Sequence, residues 1–276
     1  MNRIIYYYQT FCGLKDIINV ENPVVTHIHL SSIHFGSDDN QTPYIHLNDY
    51  PPDNEKFIQV WNELEILSKK GVKIILMVGG AGGAFKNLFN NFENYYNLLK
   101  QTIKKYPIIS GIDLDIEEYV ELQDVKMLIN KIIQDFGNQF IISMAPVSYA
   151  LKADTPGMGG FIYKELFNSD EGKHIDYFNG QFYGDFTFDS YNMIINNNFP
   201  PEKVVIGMLS ELNSGENFQK ALAELKKIKT KYLNLGGCFV WEYNDCPPNT
   251  NHYDWALNIQ KIIRNNNLYS QFCQII

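Results

Sequence analysis

The chain has 276 residues, of which 45% are hydrophobic and 14% aromatic, enough for one large α/β domain or two small ones. Its formal charge of -8, with Lys and Arg scattered along the sequence, disfavours a nucleic-acid or anionic-membrane surface. No apolar run reaches the roughly 20 residues of a membrane span without charges interrupting it.

From Met1 the sequence moves straight into strand-like residues, without the apolar core and small-residue cleavage site of a secretion signal. A chain complete as given starts in the cytoplasm; one whose signal had been removed would read the same. Cys12, Cys238, Cys246 and Cys273 are too widely spaced for a zinc module and too few for a disulfide-built fold. Free thiols, or at most a local bridge, are expected.

Residues 3–8 form the first predicted strand and residues 24–35 the second, which ends at Gly36. A loop with Asp38, Asp39, Asn40, Pro43, Pro51 and Pro52 follows, long enough to be a candidate wall of a binding groove. Ile58, Trp61, Leu64 and Leu67 fall at helical spacing and Gly71 closes that helix. The apolar strand 72–78 runs into Gly79-Gly80-Ala81-Gly82-Gly83, and residues 86–106 read as one long helix that Pro107 ends.

After Pro107 comes Ile108-Ile109-Ser110-Gly111-Ile112-Asp113-Leu114-Asp115-Ile116-Glu117-Glu118. Asp113, Asp115 and Glu117 occupy every second position, so a strand sends all three carboxyl groups to one face. Neighbouring pairs are about 6.5 to 7 Å apart along a strand, close enough to approach hydrogen-bonding range if the side chains lean together. Like charges at that spacing cannot all stay ionised, and at least one pKa should rise. The intervening Ile112, Leu114 and Ile116 place the strand in a buried parallel sheet, against the alternative of a solvated acidic edge.

The order then repeats. Helix 120–136 precedes strand 140–144, a short helix at 162–167 precedes strand 175–183, and helix 188–197 precedes strand 204–208. Helix 218–232, strand 237–241 and helix 255–263 close the pattern. Eight short apolar strands with intervening helices over about 250 residues are expected to close into a (β/α)8 barrel, a TIM barrel, with residues 1–276 as one catalytic domain. A doubly wound sheet is the competing arrangement. Active sites of such barrels assemble at the C-terminal strand ends, and Glu117 lies at such an end.

Met144-Ala145-Pro146, Gln181-Phe182-Tyr183-Gly184-Asp185 and Trp241-Glu242-Tyr243-Asn244-Asp245 also fall at strand ends. Together with Ser110-Gly111-Ile112-Asp113-Leu114-Asp115-Ile116-Glu117, they resemble glycoside hydrolase family 18, the chitinases and endo-β-N-acetylglucosaminidases, over nearly the whole chain. The resemblance implies a retaining glycosidase that cuts β-1,4 bonds of N-acetylglucosamine polymers with the substrate's own acetamido group as nucleophile. It implies Glu117 as proton donor and later base, Asp115 as partner of the acetamido N–H, and Asp113 sharing a proton with Asp115. Tyr183 would hold the acetamido oxygen with Gln181 in support, and Trp241 would form the floor under the sugar. Met144, Asp185 and Gly80 complete the implied sugar-binding set. No metal and no cofactor are implied, and the implied partner is chitin or another N-acetylglucosamine-containing oligosaccharide bound by a monomer. The near alternative is an endo-β-N-acetylglucosaminidase acting on N-glycan cores, and the non-enzymatic one a chitin- or glycan-binding barrel.

Three positions depart from the family pattern. Ser110 stands where Asp is usual, Met77 where Ser is usual, and Gly184 where Asn or Asp is frequent; Ser110 and Met77 are expected deep in the barrel, and Asp185 is a candidate substitute beside Gly184. No insertion separates the last two strands, so an open groove and endo-type cleavage are expected. The 79–83 glycines do not make a phosphate loop, because no Gly-Lys-Ser/Thr follows and Phe85 occupies the slot a dinucleotide fingerprint needs small. His27 and His29 read as hydrogen-bonded structural histidines, since later strand ends offer no matching metal ligands.

Overall fold

The computed structural model describes residues 2–210, 215–248 and 251–264. Nine strands form one sheet: β1 Arg3–Tyr8, β2 His27–Ser37, β3 Pro43–Leu47, β4 Lys73–Gly79, β5 Ile109–Asp115, β6 Ile141–Met144, β7 Tyr177–Gln181, β8 Val204–Leu209 and β9 Gly237–Trp241. Their order is β1-β9-β8-β7-β6-β5-β4-β2-β3, and an added pairing of β1 with β2 closes the cylinder. All pairings are parallel except β2 with β3, so eight strands make the barrel and β3 is an appendage.

Among the described residues ten α-helices cover the outside: α1 Lys15–Ile18, α2 Ile58–Lys69, α3 Phe85–Asn90, α4 Phe92–Lys105, α5 Leu122–Phe136, α6 Tyr149–Lys152, α7 Tyr163–Phe167, α8 Phe188–Asn196, α9 Gly215–Lys231 and α10 His252–Ile263. Strand alternation separates two apolar clusters. Ile4, Tyr6, Ile28, Ile74, Leu76, Leu114, Ile142, Val240 and their neighbours pack outward against the helices. Ile5, Tyr7, Met77, Tyr177, Val205 and Phe239 point into the cylinder. Between them the interior also buries His29, Asp113, Ser143 and Asn179, all fully inaccessible.

Two sequence expectations need correction. The predicted loop after β2 contains β3, antiparallel to the outer half of β2 with Phe35 opposite Ile45. Pro43 opens that strand, where a missing N–H is tolerated, which is why prolines alone misread the segment. The single helix predicted at 86–106 is two, because Asn91 takes a non-helical backbone (φ -143, ψ 58) and its side chain accepts from Asn94 Nδ2 at 2.9 Å. Such local side-chain bonding competes with helix continuation. Among the described residues only α9 lies between β8 and β9, with no added domain there.

Gly207 on β8 shows how tightly the interior closes. A Cβ there would fall 2.0 Å from the Phe239 ring and 2.5 Å from the Gly180 carbonyl oxygen, so only glycine lets that ring cross the barrel. Gly207→Ala is therefore expected to lower stability by about 1–3 kcal/mol through overpacking. A urea unfolding midpoint equal to that of the parent would count against this account.

Candidate active site

The acidic row sits where the barrel opens. Asp113 and Asp115 are the last inward-facing residues of β5, and Glu117 follows just past the strand end, half-buried. Asp113 is fully enclosed and its carboxylate is saturated from neighbouring strands. Tyr7 donates from its hydroxyl to Oδ2 at 2.7 Å and Ser143 to Oδ1 at 2.6 Å. Asn179 Nδ2 reaches Tyr7 Oη at 2.9 Å and Asp113 Oδ1 at 3.3 Å. His29 Nδ1 lies 3.4 Å from Oδ2, while its Nε2 lies 3.2 Å from the Tyr177 hydroxyl.

This environment splits the carboxyls. Burial alone would push Asp113 up, but the nearby His29 and the hydrogen bonds from Ser143 and Tyr7 outweigh it and bring its pKa below the usual 3.8. Asp115 goes the other way, well above 3.8, driven by burial, then by Glu117 and by Asp113, with only Gln181 opposing. The acid whose pKa the crowding raises is thus the middle one. None of the hydrogen bonds at Asp113 or Asp115 joins the two carboxyls directly.

Gln181, at the end of β7, ties the row together. Its Nε2 lies 3.1 Å from Asp115 Oδ1, 3.5 Å from Glu117 Oε1 and 2.7 Å from the Ala145 carbonyl. Tyr183, one step beyond, packs on the interior cluster through Phe239 with ring centroids 6.4 Å apart. Its phenol is held well above 10, first by burial and then by the charges of Asp115, Glu117 and Asp113. Trp241 is half-exposed at the end of β9 and tilts against Tyr7 with centroids 5.4 Å apart. The ring that props Trp241 thus also holds Asp113. The Trp241 carbonyl accepts from Ser210 N at 2.6 Å, and Glu242 N donates to Ser210 Oγ at 3.1 Å.

On the other side, Gly80 N donates to the Asp115 carbonyl at 2.9 Å. A Cβ on Gly79 would fall 2.3 Å from that same oxygen, and Gly79 has a φ of +95°, so glycine is required for the β4 loop to lie on β5. A Cβ on Gly80 would fall 3.6 Å from Asp115 Oδ2. Glu118 fastens the loop by accepting from Ala84 N at 2.5 Å and Phe85 N at 2.6 Å.

The structure brings Asp113, Asp115, Glu117, Gln181, Tyr183, Trp241 and Gly80 together, and separates two of the predicted residues from them. Met144 is fully buried in the shell between barrel and helices, because β6 gives Ile141 and Ser143 to the inside and Met144 pairs with outward-facing Leu114. Asp185 is committed to Lys152 and to Ser190 Oγ, and its carboxyl is thereby kept below 3.8 despite partial burial. Met77 is inside the cylinder as expected, 1% exposed. Ser110 is not: it is half-buried at the start of β5, and its hydroxyl donates to the Ile108 carbonyl at 3.3 Å. Gly184 has a φ of +74°, a conformation that Asn and Asp also tolerate, so the departure there keeps the turn. Tyr7, His29, Ser143, Asn179 and Glu118 were not singled out for this site from sequence; all but Glu118 sit at inward-facing strand positions, the signal that would have found them.

Neither a family model nor a curated relative matches the sequence. Solved structures do. A fungal endo-β-N-acetylglucosaminidase of glycosyl hydrolase family 18 is 30% identical, with a TM-score of 0.85 over 96% of this chain and 99% of its own. The chitinase ChiC from Aspergillus fumigatus is 31% identical, with a TM-score of 0.80 over 94% and 99%. A family 18 chitinase from Pseudoalteromonas aurantia, 20% identical with a TM-score of 0.71, shares the fold. Barrel, acidic row and relatives together define a glycosidase. The chain belongs to glycoside hydrolase family 18.

The opposed shifts at β5 give stability a pH signature. The native Asp115 binds its proton more tightly than the unfolded chain, so its contribution is present below about pH 4 and is lost as pH rises towards its native pKa. Asp115→Asn should therefore stabilise at pH 7, with a gain over the parent that grows by up to about 1.4 kcal/mol per pH unit across that window. Asp113 has the reverse sign, stabilising above its unfolded value of 3.8 and losing that contribution as pH falls through its lower native pKa. Asp113→Asn, which sets an amide N–H against donors, should cost about 1–3 kcal/mol at pH 7. Thermal unfolding of both variants from pH 3 to 7 checks the two signs; a shared sign would refute the split.

Proposed function

We propose that the chain is a retaining, substrate-assisted hydrolase of β-1,4 linkages between N-acetylglucosamine units, with chitin oligosaccharides as its substrate class. The reading rests on one observation: a buried Asp115, its pKa driven up by burial and by its acidic neighbours, between a hydrogen-bonded Asp113 held below the usual value and a half-exposed Glu117, with Gln181 bridging Asp115 and Glu117. Glu117 is the accessible member of the row and gives its proton to the glycosidic oxygen as the bond breaks. The substrate's acetamido oxygen takes the anomeric carbon from the other face, so no protein nucleophile is required. Water then opens the oxazolinium and returns the proton to Glu117.

Asp115 accepts the acetamido N–H. The acetamido N–H becomes a stronger donor as the oxazolinium charge develops, so its hydrogen bond to Asp115 tightens at that stage. The interaction strengthens in the transition state, which is the condition for catalysis. Tyr183 takes the acetamido oxygen and Trp241 presents its half-exposed face to the sugar C–H groups.

A second reading, cleavage within the paired N-acetylglucosamines of an N-glycan core, is supported by the likeness at a TM-score of 0.85 to an endo-β-N-acetylglucosaminidase. A time course on chitotetraose beside a high-mannose N-glycan, with products identified by mass and anomer, separates the two. Chitotetraose products with retained β-configuration are expected. Inversion would exclude the acetamido mechanism, and turnover of neither substrate would leave a glycan-binding barrel. Glu117→Gln should lower kcat by about 10²- to 10⁴-fold with sugar binding retained; undiminished kcat would remove Glu117 from the role.

A further inference from the structure

The opposite end of the barrel holds a second constellation that the hydrolysis does not use. We propose that the cavity at the N-terminal ends of the strands binds a phosphate-bearing small molecule. Arg3, His27, Lys73, Ile141 and Tyr177, the first residues of β1, β2, β4, β6 and β7, converge on it, and Lys70, Asp176 and Arg264 add further charged groups to its lining. Its volume is about 480 Å3. Ligand pockets span about 300–1,000 Å3, so this one holds a phosphate with a small organic group attached.

Charge sets the ligand class. Arg3, Lys70, Lys73 and Arg264 stand against the single carboxylate of Asp176, in a chain whose net charge is -8. Some of this chemistry is already occupied: Lys70 Nζ bonds the carbonyls of Ile18 and Val20 at 2.5 and 2.7 Å, and Asp176 accepts from Ile142 N at 2.9 Å. Arg3 lies over the Tyr177 ring at 4.1 Å and donates from Nη1 to the carbonyls of Glu202 and Gly236.

The rest is unspent. Among the described residues, Arg264 Nε is buried without a hydrogen-bond partner and the Lys73 ammonium makes no ion pair or hydrogen bond. His27 is 8% exposed; its Nδ1 is matched with Thr26 Oγ1 at 2.7 Å, which leaves Nε2 unpartnered. Buried polar nitrogens are ordinarily satisfied, and Arg264 Nε is one that is not; it shares one cavity with the free His27 Nε2, the exposed Lys73 ammonium and an excess of positive charge. A phosphate group offers the acceptor oxygens and the negative charge that Arg and Lys recognise.

Calorimetric titration of the full chain with inorganic phosphate and with glucose 6-phosphate, at ionic strength held constant with sodium chloride, tests the site. Saturable binding of both is expected, tighter for the sugar phosphate. Lys73 is solvent-exposed, so Lys73→Glu should keep the parent's unfolding temperature while weakening both ligands at least tenfold; Glu117→Gln should bind them as the parent does. Heats no different from the chloride control, or undiminished affinity in Lys73→Glu, would overturn the proposal. So would loss of binding in Glu117→Gln, which would place the anion at the acidic row.

Discussion

A carboxylate sealed inside a closed sheet has to be satisfied by whatever the opposing strands supply, and Asp113 is the residue on which that requirement falls. Tyr7 from β1, Ser143 from β6 and Asn179 from β7 all aim at it, with His29 of β2 alongside. Leaving a buried charge without these donors costs several kcal/mol, by the general penalty for uncompensated ions. The barrel's interior composition follows: between the apolar layer of Ile5, Val205 and Phe239 and the open mouth lies a polar layer selected for one anion. Because Tyr7 also supports Trp241, the charge at the bottom of the site and the aromatic at its edge share one support.

Asp115 inherits its character from that arrangement. Its own partners are few, Gln181 being the one side chain that bonds it, and it lies between two other acids. Saturating Asp113 and starving Asp115 divides three chemically similar groups into one that gives up its proton more readily than a free acid, one that holds it more tightly, and an accessible third. Chain position alone accomplishes this, since two residues along a strand change depth without changing face.

The barrel was legible from the alternation of strand and helix and from eight apolar runs of the right length. The row was legible because its period is 2. What could not be read was who faces whom across the cylinder. Ser143 and Met144 are neighbours of opposite parity, and the sequence marks Met144, at a strand end before Ala145-Pro146, as the conspicuous one; β6's pairing with β5 gives the inner position to Ser143. Asp185 looked available for sugar because its distant partner Lys152, on α6, is invisible at the level of a motif. Tyr7 and His29 lie more than eighty residues before Asp113 in the sequence, and only closure of the sheet makes them its neighbours.

Closure also needs the two strands furthest apart in the chain to meet. β1 pairs with β9 from Arg3 opposite Gly237 to Tyr6 opposite Val240, and Glu242 accepts from Gln9 N and Thr10 N at 2.9 and 3.2 Å. A nascent chain still short of Gly237 therefore carries bare edges on β1 and β8, the kind of template on which strands of other molecules add. Its acidic row also lacks the aromatic wall that Trp241 brings. The enzyme's working face therefore has no local precursor: it takes form only when residues 237–241 are present to lie beside residues 3–8.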